Sequence, residues 1–158
     1  MISVCFVCLG NICRSPTAEG VFLHLLSEEN LTARIQVDSA GTCSHHVGES
    51  ADRRSQSTAN RRGFHLPSRS RQFLASDFDR FDYIVAMDAS NMRHLLNMAR
   101  TEKERQKVSL LRDHDEISPQ GSNVPDPYYG GPDGFEEVFD LCFLGCKGLL
   151  AKIKFDHL

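Results

Sequence analysis

The sequence has no surplus of positive charge: 18 Lys and Arg stand against 21 Asp and Glu, a net −3 over 158 residues. Holding a nucleic-acid backbone takes a large positive field, so nucleic acid is not an expected partner. No apolar run approaches the ~20 residues that cross a bilayer, which argues against a membrane partner. The apolar start, Ile2 to Leu9, lacks the basic leader and small-residue cleavage site of an export signal. A cytoplasmic location is therefore expected. Internal repeats and low-complexity tracts are missing. With 41% hydrophobic and 25% charged residues, the composition is neither disordered, collagenous nor coiled-coil. A nucleotide-type phosphate loop, in which glycines lead into Lys and Ser or Thr, is also absent, and this disfavours ATP or GTP hydrolysis.

What is present fits one domain spanning residues 1–158, long enough to bury a core without staples. The six cysteines (Cys5, Cys8, Cys13, Cys43, Cys142 and Cys146) read as reduced thiols with packing or reactive roles. Ile2 to Val7 is almost continuously apolar and β-branched, as in a parallel strand covered on both faces. A tight loop follows, then a helix start at Ser15 and Pro16, with Ser15 as its cap and Ala18, Val21, Phe22 and Leu25 as its buried stripe. Further strands are expected at Arg34 to Asp38, Phe81 to Met87 and Val108 to Leu111, with a helix over Asp88 to Met98. A long final helix starts near Asp133, its expected cap. Its stripe is Phe135, Val138, Phe139, Cys142, Cys146, Leu149, Leu150 and Ile153. This alternation predicts an α/β fold, a parallel sheet with helices on both faces. Ligands then sit beyond the carboxyl ends of the strands, where residues 8 to 15 fall.

Charge is unevenly placed. Asp52 to Arg71 holds six arginines and one acid, while Asp113 to Asp140 holds eight acids and no Lys or Arg. Both runs read as solvated surface, with docking by the arginines as the lesser alternative.

The segment from Val7 to Pro16, VCLGNICRSP, carries the chemistry. A cysteine ends a buried strand, an arginine follows six positions later, and a helix begins directly behind. Inward-turned N–H groups of such a loop, with the positive end of the helix dipole, make a site for a phosphate-sized anion. Gly10 and Asn11 tolerate the left-handed backbone that a curled loop demands. The planar fork of Arg14 matches two phosphoryl oxygens. The same field favours the thiolate of Cys8, a nucleophile beneath the bound anion. Far along the chain, VPDPYYGG at 124–131 holds Asp126 extended before Pro127 on a glycine-rich turn. A carboxyl kept protonated near apolar rings there would serve as a general acid. Of Tyr128 and Tyr129, one is expected to line a cleft and the other to pack. No ligand pair accompanies Cys43, His45 and His46 at metal spacing, so no metal or other cofactor is expected.

Cys8 to Ser15 (CLGNICRS), Asp126 to Gly131 (DPYYGG), Ser39 to Thr42 (SAGT) and Ala86 to Asp88 (AMD) together resemble the low-molecular-weight protein tyrosine phosphatases. The likeness runs from near Val4 to the final helix. It implies a three-layer α/β fold, a four-stranded parallel sheet with helices on both faces, of the flavodoxin-like phosphotyrosine phosphatase I type. It also implies Cys8 as nucleophile, Arg14 as phosphate clamp, Asp126 as general acid, and phosphate binding by the main chain of Leu9, Gly10, Asn11, Ile12, Cys13 and Arg14. Ser15 would hydrogen-bond the sulfur, and Asn11 would hold the loop through Ser39. Cys13 matches a second loop cysteine able to form a reversible disulfide with Cys8. Ile12, His45, Tyr128 and Tyr129 would line the substrate cleft. Many relatives carry tryptophan where His45 stands; His46 follows it, and in an extended segment only one of the two would face the cleft. Ser68 stands where some relatives place a histidine.

Phosphotyrosine proteins are the implied partners, with inorganic phosphate as product and a cognate tyrosine kinase as a further partner. Two other activities fit the same scaffold. Arsenate reduction would relay oxidation to further cysteines, and a non-catalytic module would capture phosphate only. A related branch hydrolyses phosphoarginine and carries a small polar residue at the position of Ile12.

Overall fold

The computed structural model describes residues 1–158, the side chain of Pro132 excepted. Four strands, β1 (Ile2–Cys8), β2 (Ile35–Gly41), β3 (Tyr83–Ala86) and β4 (Val108–Leu110), form one parallel sheet in the order β2-β1-β3-β4. The helices are α1 (Arg14–Glu28), α2 (Arg53–Arg61), α3 (Asp77–Arg80), α4 (Ala89–Met98), α5 (Glu102–Arg105) and α6 (Pro132–His157). A 3₁₀ turn covers Leu111–His114. None of the helices described is long and apolar enough to cross a membrane.

Strand β1 is buried along nearly its whole length because helices cover both of its faces. Its alternate residues Val4, Phe6 and Cys8 join the core built with α1 and α6, where Phe6 meets Phe22 edge-on at 5.6 Å. Cys5 and Val7 face the opposite core, with Phe73, Phe78, Ile84 and Leu95. The chain leaves β1 toward β2 on one side and reaches β3 on the other. The loop after β1 therefore opens at the switch point of the sheet, where an α/β fold leaves a crevice.

Gly41, ending β2, keeps that crevice tight: a Cβ there would lie 2.7 Å from the Leu9 carbonyl oxygen.

The two charged runs meet each other instead of facing only solvent. Arg61 and Arg62, at the end of α2, pair with Glu136 at 2.7 and 3.0 Å, and Arg62 also pairs with Asp140 at 2.5 Å on α6. Helix α2 itself buries only Ser55, Thr58 and Ala59, a face too small and polar to register as an apolar stripe. The expected caps shift as well. Helix α1 begins at Arg14 after Cys13, so Ser15 lies inside the first turn and its hydroxyl serves elsewhere. Helix α6 begins after Gly131, which puts Asp133 in the first turn, where its charge still suits the dipole.

Candidate active site

Cys8 is the last residue of β1, nearly closed off from solvent. Its sulfur accepts the N–H of Asn11 at 3.3 Å and lies 3.0 Å from the Ser15 hydroxyl oxygen. That oxygen accepts a hydrogen bond from Asn11 Nδ2 at 2.7 Å. The Ser15 hydroxyl proton then has two acceptors in reach, the sulfur at 3.0 Å and the Ala40 carbonyl at 3.4 Å, and the sulfur is nearer.

Asn11 holds the curl. Its backbone is left-handed, with φ 58°, a conformation that asparagine tolerates better than most residues. Its amide also donates to Ser39 Oγ at 3.0 Å and accepts the Arg71 N–H at 3.0 Å. Ser39 in turn donates to Glu19 Oε1 at 2.5 Å. Burial pushes the Glu19 carboxyl above its ordinary range, opposed by the hydroxyls of Ser39 and Ser68. The Ser70 hydroxyl donates to the Gly10 carbonyl at 2.9 Å, which turns that carbonyl outward from the curl.

Among the described residues, the N–H groups of Leu9, Gly10, Ile12, Cys13 and Arg14 donate to no other protein group. Ile12, Cys13 and Arg14 are buried, and buried N–H groups are almost always paired, so free donors on a loop that lines one cleft with Cys8 mark a place for an acceptor-rich anion.

Arg14 is 2% exposed. Its guanidinium donates to Asp88 Oδ2 at 2.6 Å and to the Val124 carbonyl at 3.0 Å. Burial works against its charge, but Cys8 and Asp88 offset that and raise it above its ordinary value. Asp88 does two jobs, since its other oxygen caps α4 by accepting the Asn91 N–H at 2.8 Å. Asp126 approaches the same guanidinium at 3.8 Å. Its loop starts from Val124, whose N–H is fixed to the Met87 carbonyl at 2.8 Å.

A cleft of about 140 Å³ brings together Cys8, Leu9, Gly10, Ile12, Cys13 and Arg14 with Cys43, His45, His46, Asp126, Tyr128 and Tyr129. The match to the family described as low molecular weight phosphotyrosine protein phosphatase runs over residues 3–157. The chain belongs to that family. A low molecular weight protein-tyrosine-phosphatase of Streptomyces coelicolor is 46% identical over 152 residues, covering 96% of this chain and 93% of the relative. A low molecular weight phosphotyrosine protein phosphatase of Homo sapiens is 42% identical over 152 residues, covering 95% and 94%. A crystal structure of a protein tyrosine phosphatase from Entamoeba histolytica, with Hepes in its active site, superposes with a TM-score of 0.94 at 42% identity, covering 100% of both chains.

Several expectations need correction in this phosphatase-family chain. Both histidines line the cleft, because residues 45–48 form a turn and not an extended segment. His46 is the better anchored: its ring carbon Cδ2 would lie 2.9 Å from a Cβ at Gly10, and Nδ1 faces Glu49 Oε2 at 3.0 Å. Both tyrosines border the cleft as well, Tyr128 half-buried against Ile12, Cys13 and Phe135, and Tyr129 94% exposed. Asp126 lacks the apolar setting expected of it. Its side chain is 44% exposed and its charged neighbour is Arg14. Cys43 joins the two histidines at the cleft, yet among the described residues no group of three or more His, Cys, Asp or Glu is placed to hold a metal ion.

The sequence alone assigned no role to Glu19, quoted Asp88 only within a motif, and left open which of His45 and His46 faces the cleft. Asp88 carried a usable signal: an acid directly after a buried parallel strand sits at the carboxyl edge of the sheet, where ligands bind.

Proposed function

We propose that this chain hydrolyses phosphotyrosine on proteins, and small aryl phosphates, in two steps through a phosphocysteine on Cys8. The observation that carries the reading is a loop with five unpaired N–H groups, from Leu9 to Arg14, that lines one cleft with the Cys8 sulfur and with Asp126. In the first step the thiolate attacks phosphorus, the S–P bond forms, and the P–O bond to the phenol breaks as Asp126 supplies the proton. Asp126 and Arg14 border the same cleft, with Asp126 Oδ2 3.8 Å from the guanidinium, so the carboxyl is within reach of an ester oxygen held by Arg14. In the second step Asp126 accepts a proton from water, the oxygen attacks phosphorus, and inorganic phosphate and the thiolate are released. The free N–H groups and Arg14 hold the charge that grows on the equatorial oxygens.

Ser15 steadies the thiolate through its hydroxyl proton, and Asn11 with Ser39 keeps the loop curled. Ile12 and Tyr128 offer apolar walls to the phenyl ring, which fits an aromatic ester better than phosphoarginine.

Arsenate reduction by relay is poorly supported. Cys142 and Cys146 are fully buried, burial pushes both thiols well up, and they face the Arg14 and Ala18 carbonyls at 3.8 and 3.4 Å. Cys13 is the better redox partner for Cys8, since both border the cleft. Burial and Asp52 push the Cys13 thiol up to about 12, which disfavours its thiolate as the first site of oxidation. A peroxide that oxidises the Cys8 thiolate gives its sulfenic acid, which the Cys13 sulfur attacks, forming the disulfide and releasing water.

Replacing Cys8 by Ser tests the central claim. The variant is expected to bind inorganic phosphate and to turn over no aryl phosphate; turnover at the wild-type rate ends this reading, whereas a wild type that binds phosphate and turns over no aryl phosphate leaves phosphate capture as the alternative.

A further inference from the structure

Beside the cleft lies a groove of about 560 Å³ that shares Ile12, His46 and Tyr128 with it and runs along residues 49–53 to Gln56. Its charged groups are Glu49, Asp52 and Arg53, with His46 at the shared wall. Two of these are already committed. Glu49 faces His46 Nδ1 at 3.0 Å, and the Asp52 carboxylate accepts the backbone N–H, Nε and Nη2 of Arg54 at 2.8 to 3.0 Å. Elsewhere in the arginine run, Arg54, Arg61, Arg62 and Arg71 each hold a carboxylate, and Arg69 donates to the Gly48 carbonyl. Arg53 is exposed and, among the described residues, makes no hydrogen bond or ion pair. The groove thus ends in one uncommitted cation, continuous with the site of the reacting phosphate.

Resting on the phosphatase reading above, we infer that this groove binds the substrate chain next to the phosphotyrosine and that Arg53 selects an acidic side chain there. Helix α2 fixes the backbone from which the cation extends, since Arg53 is its first residue and Asp52 its cap. A guanidinium pairs with a carboxylate in planar fashion, and its long-range attraction also speeds encounter.

The test is a set of phosphotyrosine peptides carrying Glu or Lys at each of three positions on either side, compared by kcat/KM, with an aryl phosphate alongside. For the wild type, Glu is expected to exceed Lys by about fivefold at one or two positions on one side, the upper end for an exposed pair. The ratio should fall toward one as salt shortens the screening length from about 10 Å at 0.1 M toward 3 Å at 1 M. Arg53→Gln should erase the preference and Arg53→Glu should turn it toward Lys. Each ratio is taken within one variant, so a general loss of activity cancels. Equal use of both peptides by the wild type, or a Glu preference that survives Arg53→Glu, overturns the inference. Failure of the wild type to turn over the aryl phosphate overturns the underlying reading of the site.

Discussion

The two segments that meet at the cleft are held in opposite ways. The loop from Cys8 to Ser15 is buried except at Leu9 and Gly10 and is cross-tied: the Asn11 side chain alone reaches Ser15, Ser39 and the Arg71 backbone, and Ser70 secures Gly10. The segment around Asp126 is open. Its carboxyl is 44% exposed, accepts one N–H from Tyr128, and meets Arg14 only at 3.8 Å. The difference follows the work proposed for each. A charge cradle gains from having its donors fixed before charge develops. A group that gives and then takes back a proton must instead meet a phenol in one step and water in the next.

The contrast is sharpest if activity and stability separate. Asp126→Asn should slow esters with poor leaving groups by ~10² to 10⁴-fold and those with good leaving groups far less. Because the side chain is exposed, its urea midpoint should report a change within about 0.5 kcal/mol. Equal slowing of both ester classes would remove the acid role.

Asn11→Ala should damage both properties. Turnover of a small aryl phosphate should fall about 10²-fold, as when one preorganised donor is lost. Denaturant unfolding should show a loss of roughly 2–4 kcal/mol from stranded partners and a left-handed alanine. An active, unweakened variant would erase the distinction drawn between the two segments.

Asp88→Asn touches the seam between them. It keeps an acceptor for the α4 cap while taking the negative charge from Arg14, so kcat/KM should drop about tenfold with a stability loss of roughly 1–3 kcal/mol. No change in either would place Arg14 under the control of the Val124 carbonyl alone.

The smallest effect concerns acid beneath the cradle. Burial raises Glu19 above its unfolded value of 4.5, so the folded state binds the proton more tightly. Its contribution to stability is full below about 4.5 and is lost as pH rises through the higher folded value. Urea midpoints of wild type and Glu19→Gln, compared from pH 4.5 to 7, should diverge in favour of the variant as pH rises. Parallel curves would mean that the hydroxyls of Ser39 and Ser68 compensate the charge fully.

The cradle was legible in the sequence because its parts are contiguous: a covered strand, permissive residues at Gly10 and Asn11, an arginine, and a helix start. The long apolar stripes of α1 and α6 were legible for the same reason, since every residue named in them is buried. Helix α2 was not, because Ser55, Thr58 and Ala59 carry no apolar period. Helices α3 and α5, four residues each, are shorter than any pattern can register. Ser15 misled because serine before proline signals a cap, and here the sulfur of Cys8 claims the hydroxyl. Strand β2 outran its expected end at Asp38 because Ser39, Ala40 and Gly41 are small; they are buried by the neighbouring loop and not by their own hydrophobicity. Contacts such as Asp88 to Arg14 join residues 74 positions apart and depend on the completed sheet.

The Arg54 guanidinium lies 4.6 Å from the centre of the Phe135 ring and 5.2 Å from that of Tyr128, and it donates to the Tyr128 carbonyl at 3.1 Å. Through this peg the segment proposed to deliver the proton takes its bearings from helix α2, which contributes no residue to the phosphate loop. On the proposed mechanism, substitutions at Arg54 are therefore expected to alter proton delivery without changing any residue of the phosphate loop.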